Sequence, residues 1–130
     1  MKVLYFHQHF SVPQGPGGIR SYGMSKCLID RGHQAVVVCG SFVGSSTGLK
    51  GNFIKGRRSG FVQGIEVIEF DLAYSNSDGF LLRIWTFLKY VFYSSIIVFT
   101  HKYDLVFATS TPLTAGIPGI FAKIFRKKPF

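Results

Sequence analysis

Carboxylates are the scarcest functional group in this chain: six Asp plus Glu stand against fifteen Lys plus Arg, leaving a formal net charge of +9 over 130 residues. Cysteine is nearly absent as well. Cys27 and Cys39 have no CxxC spacing, which excludes a disulfide scaffold and a zinc finger and fits a reducing cytosol. No GxxxxGK[ST] segment occurs, and Arg20 stands where a dinucleotide fingerprint would need its third glycine, so P-loop and NAD-binding readings are demoted. The apolar run Val3-Leu4-Tyr5-Phe6 is too short for the core of a secretory signal. Charged residues make up 16% of the chain and hydrophobic ones 47%, too apolar for disorder, and the length allows one domain but not two. An oily, cationic domain suits anionic membranes or phosphorylated ligands.

Lys2 to His7 reads as a strand that stops at the turn-rich Pro13-Gln14-Gly15-Pro16-Gly17-Gly18. From Ile19 the spacing becomes helical, with Met24, Cys27 and Leu28 expected on the inner side and Gly32 as terminator. Ala35 to Cys39 is a continuous apolar run, the pattern of a parallel strand covered on both faces. Strand, helix and strand make a βαβ unit, so the expected fold is α/β, Rossmann-like, with a mostly parallel sheet flanked by helices and ligands taken at the carboxyl edge. Residues 40–64 hold several glycines, Lys50, Lys55, Arg57 and Arg58 and no acid, and are expected to form a mobile basic loop. Ile65 to Phe70 alternates like an edge strand with one wet face, its Glu66 and Glu69 structural. Asp104 to Ala108 is a further buried strand. It leads through Ser110, Thr111 and Pro112 to a helix capped by Thr111 and disturbed at Pro118, and Pro129-Phe130 reads as the entrance to another strand.

The most apolar stretch lies within residues 79–101, an amphipathic helix broken only by Arg83 and Lys89. Each cation would cost about 2.5–3.5 kcal/mol near a bilayer centre, which disfavours a span. Two arrangements stay open: a helix along the headgroups with Arg83, Trp85 and Lys89 facing the membrane, or a helix covering the sheet. Helical spacing gathers Arg83, Thr86, Lys89, Tyr90, Tyr93 and Ser94 on one side, expected toward lipid phosphates in the first arrangement.

The glycine loop between strand and helix offers backbone N–H groups and a helix start to an anion. Gly17, Gly18 and Arg20 are therefore candidates for donor or phosphate binding, and His7, His9, Ser110 and Thr111 for a cleft beside it. Two histidines without a further ligand do not make a metal site, so no metal is expected.

His7-Gln8-His9-Phe10, Gly15-Pro16-Gly17-Gly18-Ile19-Arg20-Ser21-Tyr22, Arg31-Gly32-His33 and Asp104 to Leu113 together resemble the amino-terminal domain of a family 4 glycosyltransferase of the GT-B fold. The nearest likeness is to L-fucosamine transferases of bacterial surface polysaccharide synthesis, such as O-antigen or capsule. The resemblance implies a retaining enzyme that moves a sugar from a nucleotide diphosphate donor to a lipid-linked saccharide, without a further cofactor. It implies peripheral placement at the cytoplasmic face of an anionic plasma membrane. Gly17 and Gly18 would then approach the donor, with Arg20 nearby, and Ser110 and Thr111 would line the cleft. Members of that family carry a second, donor-binding Rossmann-like domain after a Lys-Pro-Phe like Lys128-Pro129-Phe130, so this chain is expected to be one incomplete half, inactive without its partner domain or subunit. A stand-alone flavodoxin-like module for a nucleotide or phosphorylated metabolite is the alternative. Nucleic acid is not an expected partner, because the cations are dispersed and the aromatics sit in apolar runs.

Overall fold

The computed structural model describes residues 1–15, 19–42, 46–110 and 112–130. Strands β1 (Lys2–Phe6), β2 (Gln34–Phe42), β3 (Arg57–Val62), β4 (Ile65–Tyr74) and β5 (Leu105–Ala108) form one sheet in the order β3-β4-β2-β1-β5. β1, β2, β4 and β5 are parallel and β3 is antiparallel to β4. Helices α1 (Arg20–Asp30), α2 (Phe80–Thr100) and α3 (Ile117–Phe125) complete a Rossmann-like α/β fold. The continuous apolar runs of β1 and β2 are buried on both sheet faces, as a parallel sheet between helical layers requires. α1 lies over the core containing Tyr5, Phe10, Val37, Cys39 and Val67. On the opposite face, α2 and α3 cover Leu4, Phe6, Val38, Phe70 and Val106.

α1 ends as its sequence requires. Gly32 takes φ +82°, the His33 amide donates to Leu28 O at 3.0 Å and the Gly32 amide to Ile29 O at 2.9 Å, a Schellman closure. Its buried face differs from the expected one. Ser21 and Ser25 face the sheet, while Met24, Cys27 and Leu28 line a shallow apolar cleft of about 230 Å³ with Tyr5 and Phe107. Small hydroxyl side chains let the helix approach the strands more closely than Met and Leu would allow.

Residues 40–64 are not one loop. The end of β2 and all of β3 fall within them. β3 pairs with β4 through a two-residue turn in which Gln63 (φ +49°) and Gly64 (φ +86°) are both left-handed, the geometry of a type I′ hairpin. Residues before β3 are tied to the sheet by Glu69, which is 1% exposed. Its Oε2 accepts hydrogen bonds from Thr47 Oγ1 at 2.7 Å and Arg58 Nε at 2.8 Å. Arg58 also donates to Gly51 O at 2.9 Å and lies 4.5 Å over the Phe53 ring. Four linked contacts offset the entropy that the glycines would otherwise retain. β4 is consequently an inner strand and β3 the edge; the two acids that made β4 look wet are paired, Glu66 with Lys2 at 3.3 Å and Glu69 with Arg58.

The expected helix after β5 is divided. Leu113–Gly116 forms a 3-10 turn, and Pro118 opens α3 in its first turn, where its missing N–H loses no helical bond. The Val106 amide donates to Pro129 O at 2.9 Å, and the Phe130 ring packs over Gly119, where a Cβ would meet ring atoms at 2.3 Å. The last residues therefore run along the outer edge of β5.

Candidate functional site

From β1 the chain goes by α1 to β2 on one side, and returns from β4 by α2 to β5 on the other. The carboxyl ends of β1 and β5 thus mark the topological switch point, the place where open α/β sheets take ligands. The hydrogen-bond ladder holds both ends. The His7 amide donates to Val38 O at 3.1 Å, the Gly40 amide to Gln8 O at 3.0 Å, and the Thr109 amide to Phe6 O at 3.0 Å.

His7 turns toward α1, with Nδ1 2.6 Å from Ser21 Oγ. Burial, and then the neighbouring His9 and Arg20, push its pKa down to about 4, so the imidazole is neutral at neutral pH. Ser21 is 0% exposed and out of reach as a nucleophile; it orients the ring. Arg20 begins α1 and is exposed beside this pair. His9 lies toward the ends of β2 and β4, its ring 5.5 Å from Phe42 and 4.8 Å from Tyr74 between centroids, and burial lowers its pKa too. Tyr74 stacks in turn on Phe87 of α2 at 5.5 Å, and its hydroxyl donates to Asn76 Oδ1 at 3.0 Å.

A bulge aims Tyr74 at His9. Gly40 pairs with Phe70 and Phe42 with Tyr74, so the β4 side carries two extra residues, and Ala73 takes φ +46°. Ser41 Oγ accepts the Leu72 and Ala73 amides at 3.0 and 3.2 Å, which stabilises the distortion.

Of the residues singled out from sequence, His7, His9, Arg20 and the exposed Ser110 lie around the carboxyl edge. Gly17, Gly18 and Thr111 lie outside the described residues. Gln8, Ser21, Phe42 and Tyr74 were missed. Gln8 and Ser21 stand inside segments quoted above without a role of their own, and Phe42 and Tyr74 are brought in by the bulge between β2 and β4.

α2 meets the edge of this site and reverses an expectation. Thr86, Tyr90 and Ser94, grouped with the cations by spacing, are buried against the sheet, and Tyr90 donates its hydroxyl proton to Val38 O at 2.6 Å. The apolar stripe points outward instead: Leu81, Trp85, Leu88, Phe92, Ile96 and Phe99 are exposed, and Ile120, Ile124 and Phe125 of α3 extend it. Lys89 Nζ lies 5.5 Å from the Trp85 ring centroid and Arg83 is partly exposed. By length and composition α2 is long and apolar enough to cross a membrane.

Comparison of the chain with protein-family models, with curated proteins and with solved structures gave no match. The chemistry must be read from the site. It offers two neutral imidazoles, a guanidinium and an aromatic wall, and none of these residues is a carboxylate. Among the described residues, that set has the hydrogen-bonding and charge character suited to a polar or anionic ligand.

Proposed function

We propose that this chain is the acceptor-side half of a GT-B glycosyltransferase, resembling family 4, which serves the transfer of a sugar from a nucleotide diphosphate donor to a lipid-linked saccharide at an anionic, cytoplasmic membrane face. One observation carries the reading: the His9, Tyr74 and Phe87 rings connect the switch point to α2 next to its exposed start, so ligand site and outward apolar surface share one edge of the molecule. A substrate with a saccharide head and a membrane-embedded tail requires that adjacency. From Phe80 to Phe130 the only acid is Asp104, against seven Lys and Arg, which suits anionic headgroups around the inserted side chains. A second, donor-binding Rossmann-like domain or subunit would face this edge and supply carboxylates beside the His7, His9 and Arg20 side chains. Gly17, Gly18 and Arg20 are proposed to meet the donor phosphates, and His7, His9, Ser110 and Thr111 the acceptor.

Two measurements test this. The chain should float with vesicles containing phosphatidylglycerol and much less with neutral ones, and sugar should pass from a labelled nucleotide sugar to lipid-linked acceptor when a donor-binding half is supplied. Tight nucleotide binding by the chain alone, with no vesicle association, would support the stand-alone module instead.

A further inference from the structure

We propose that Gln8 is the saccharide-reading residue of the switch-point site, its side-chain amide bridging two adjacent hydroxyl groups of a pyranose ring. This rests on the glycosyltransferase reading above.

Gln8 is 1% exposed, yet neither Nε2 nor Oε1 has a hydrogen-bond partner among the described residues. A buried polar atom left in this state costs about 1–3 kcal/mol, so a persistent pair of them calls for a missing partner. Loose packing is not the reason: the Gln8 carbonyl is held by Gly40, and His7 and His9 on either side are engaged with Ser21 and with Tyr74. Thr109 Oγ1 is buried and unpartnered as well. Gln8 follows β1 and Thr109 follows β5, so the two orphans stand at the carboxyl ends of two neighbouring strands, at the switch point. The Ser25 and Ser94 hydroxyls are also unpartnered, but they lie within α1 and α2, where a carbonyl of the preceding turn is one side-chain rotation away; the Thr114 hydroxyl, at the start of the 3-10 turn, is a further unpartnered group. Gln8 has no such recourse.

The chemistry of the missing partner follows from the amide. It presents a donor and an acceptor side by side. A phosphate would leave Oε1 unused and an apolar chain would leave both atoms unused. Vicinal hydroxyls each donate and accept, and meet both at once. The flat edge of a nucleobase is the other match, and the experiment separates it.

The 130-residue chain is titrated with methyl α-glycosides of glucose, galactose, mannose and fucose, and separately with UMP, by saturation-transfer NMR. Wild-type protein is expected to take at least one glycoside, and Gln8→Leu to lose about tenfold or more in that affinity. The same substitution should raise the melting temperature, because it removes two unpaired polar atoms. Gln8→Met, of similar length but without donor or acceptor, should also weaken glycoside binding and covers the case in which Gln8→Leu does not fold. Glycoside binding unchanged in both variants would overturn the proposal and leave an amide served by trapped water. Absence of glycoside binding to wild type, or loss of UMP binding with glycoside retained, would overturn it equally. Sugar transfer that proceeds with Gln8→Leu unimpaired removes the subsite alone; no transfer from any donor removes the function it rests on.

Discussion

The two faces of the sheet solve the same covering problem in opposite ways. On one, α1 approaches through Ser21 and Ser25, and the β3–β4 hairpin is fastened by Glu69 and Arg58. On the other, α2 turns Thr86, Tyr90 and Ser94 inward and leaves its bulkiest apolar side chains outside. Hydroxyls face the strands in both layers, but only in the second does the outer surface resemble a core. The contrast teaches that spacing on a helix defines its two sides and not which of them meets the sheet. A layer apolar inside and out belongs between two apolar media, and here the second is proposed to be lipid.

The largest effect should come from the outer surface. Replacing Trp85, Leu88 and Phe92 together by Ser removes three inserted side chains at roughly 1.5–3 kcal/mol each, so vesicle partitioning should fall by about a thousandfold or more. Urea unfolding of the same variant in the absence of lipid should stay close to wild type, since these side chains are exposed in the fold. A fall in stability as large as the fall in partitioning would break the comparison.

The inner counterpart is Arg58→Leu, which leaves Glu69 buried and unpaired. Such disruption costs about 3–5 kcal/mol, read as a lower urea midpoint, with vesicle binding per folded molecule unchanged.

A smaller effect depends on pH. The pKa of His7 is about 4 in the fold against an ordinary 6.5, so the unfolded chain takes up the proton first. Stability should be full above about pH 6.5, decline as the pH falls toward 4 and level off below, a loss on the order of 3 kcal/mol for this group. His7→Asn should flatten that slope in pH-dependent melting. His9 and His101, whose pKa values burial also lowers, retain the remainder.

The smallest effect sharpens the lipid assignment. Arg83→Gln and Lys89→Gln should each weaken binding to anionic vesicles by about 1 kcal/mol and leave binding to neutral ones unaltered. Equal losses on both vesicle types would mean that the cations act by packing and not by charge.

Much of the architecture was legible because buried parallel strands write themselves as unbroken apolar runs. Val3 to Phe6 and Ala35 to Cys39 are such runs, whereas Leu105 to Ala108, expected to be buried, is an edge strand with Phe107 exposed. β3 was not legible: Arg57, Arg58 and Gly60 argue against a strand, and only pairing with β4 across a Gln-Gly turn makes it one. The orientation of α2 was hidden for the reason given above. At the site, His7 and His9 stood out as polar groups following a strand, whereas Gln8 did not. Its significance lies in what it fails to touch, which no local pattern encodes.

The bulge in β4 makes the aromatic wall a matter of parity. Side chains alternate along a strand, so excising one of the two surplus residues between Phe70 and Tyr74 would swing the phenol ring to the α1 side of the sheet and strip His9 of its neighbour, with every contributing residue type retained. Excising both would bring the ring back.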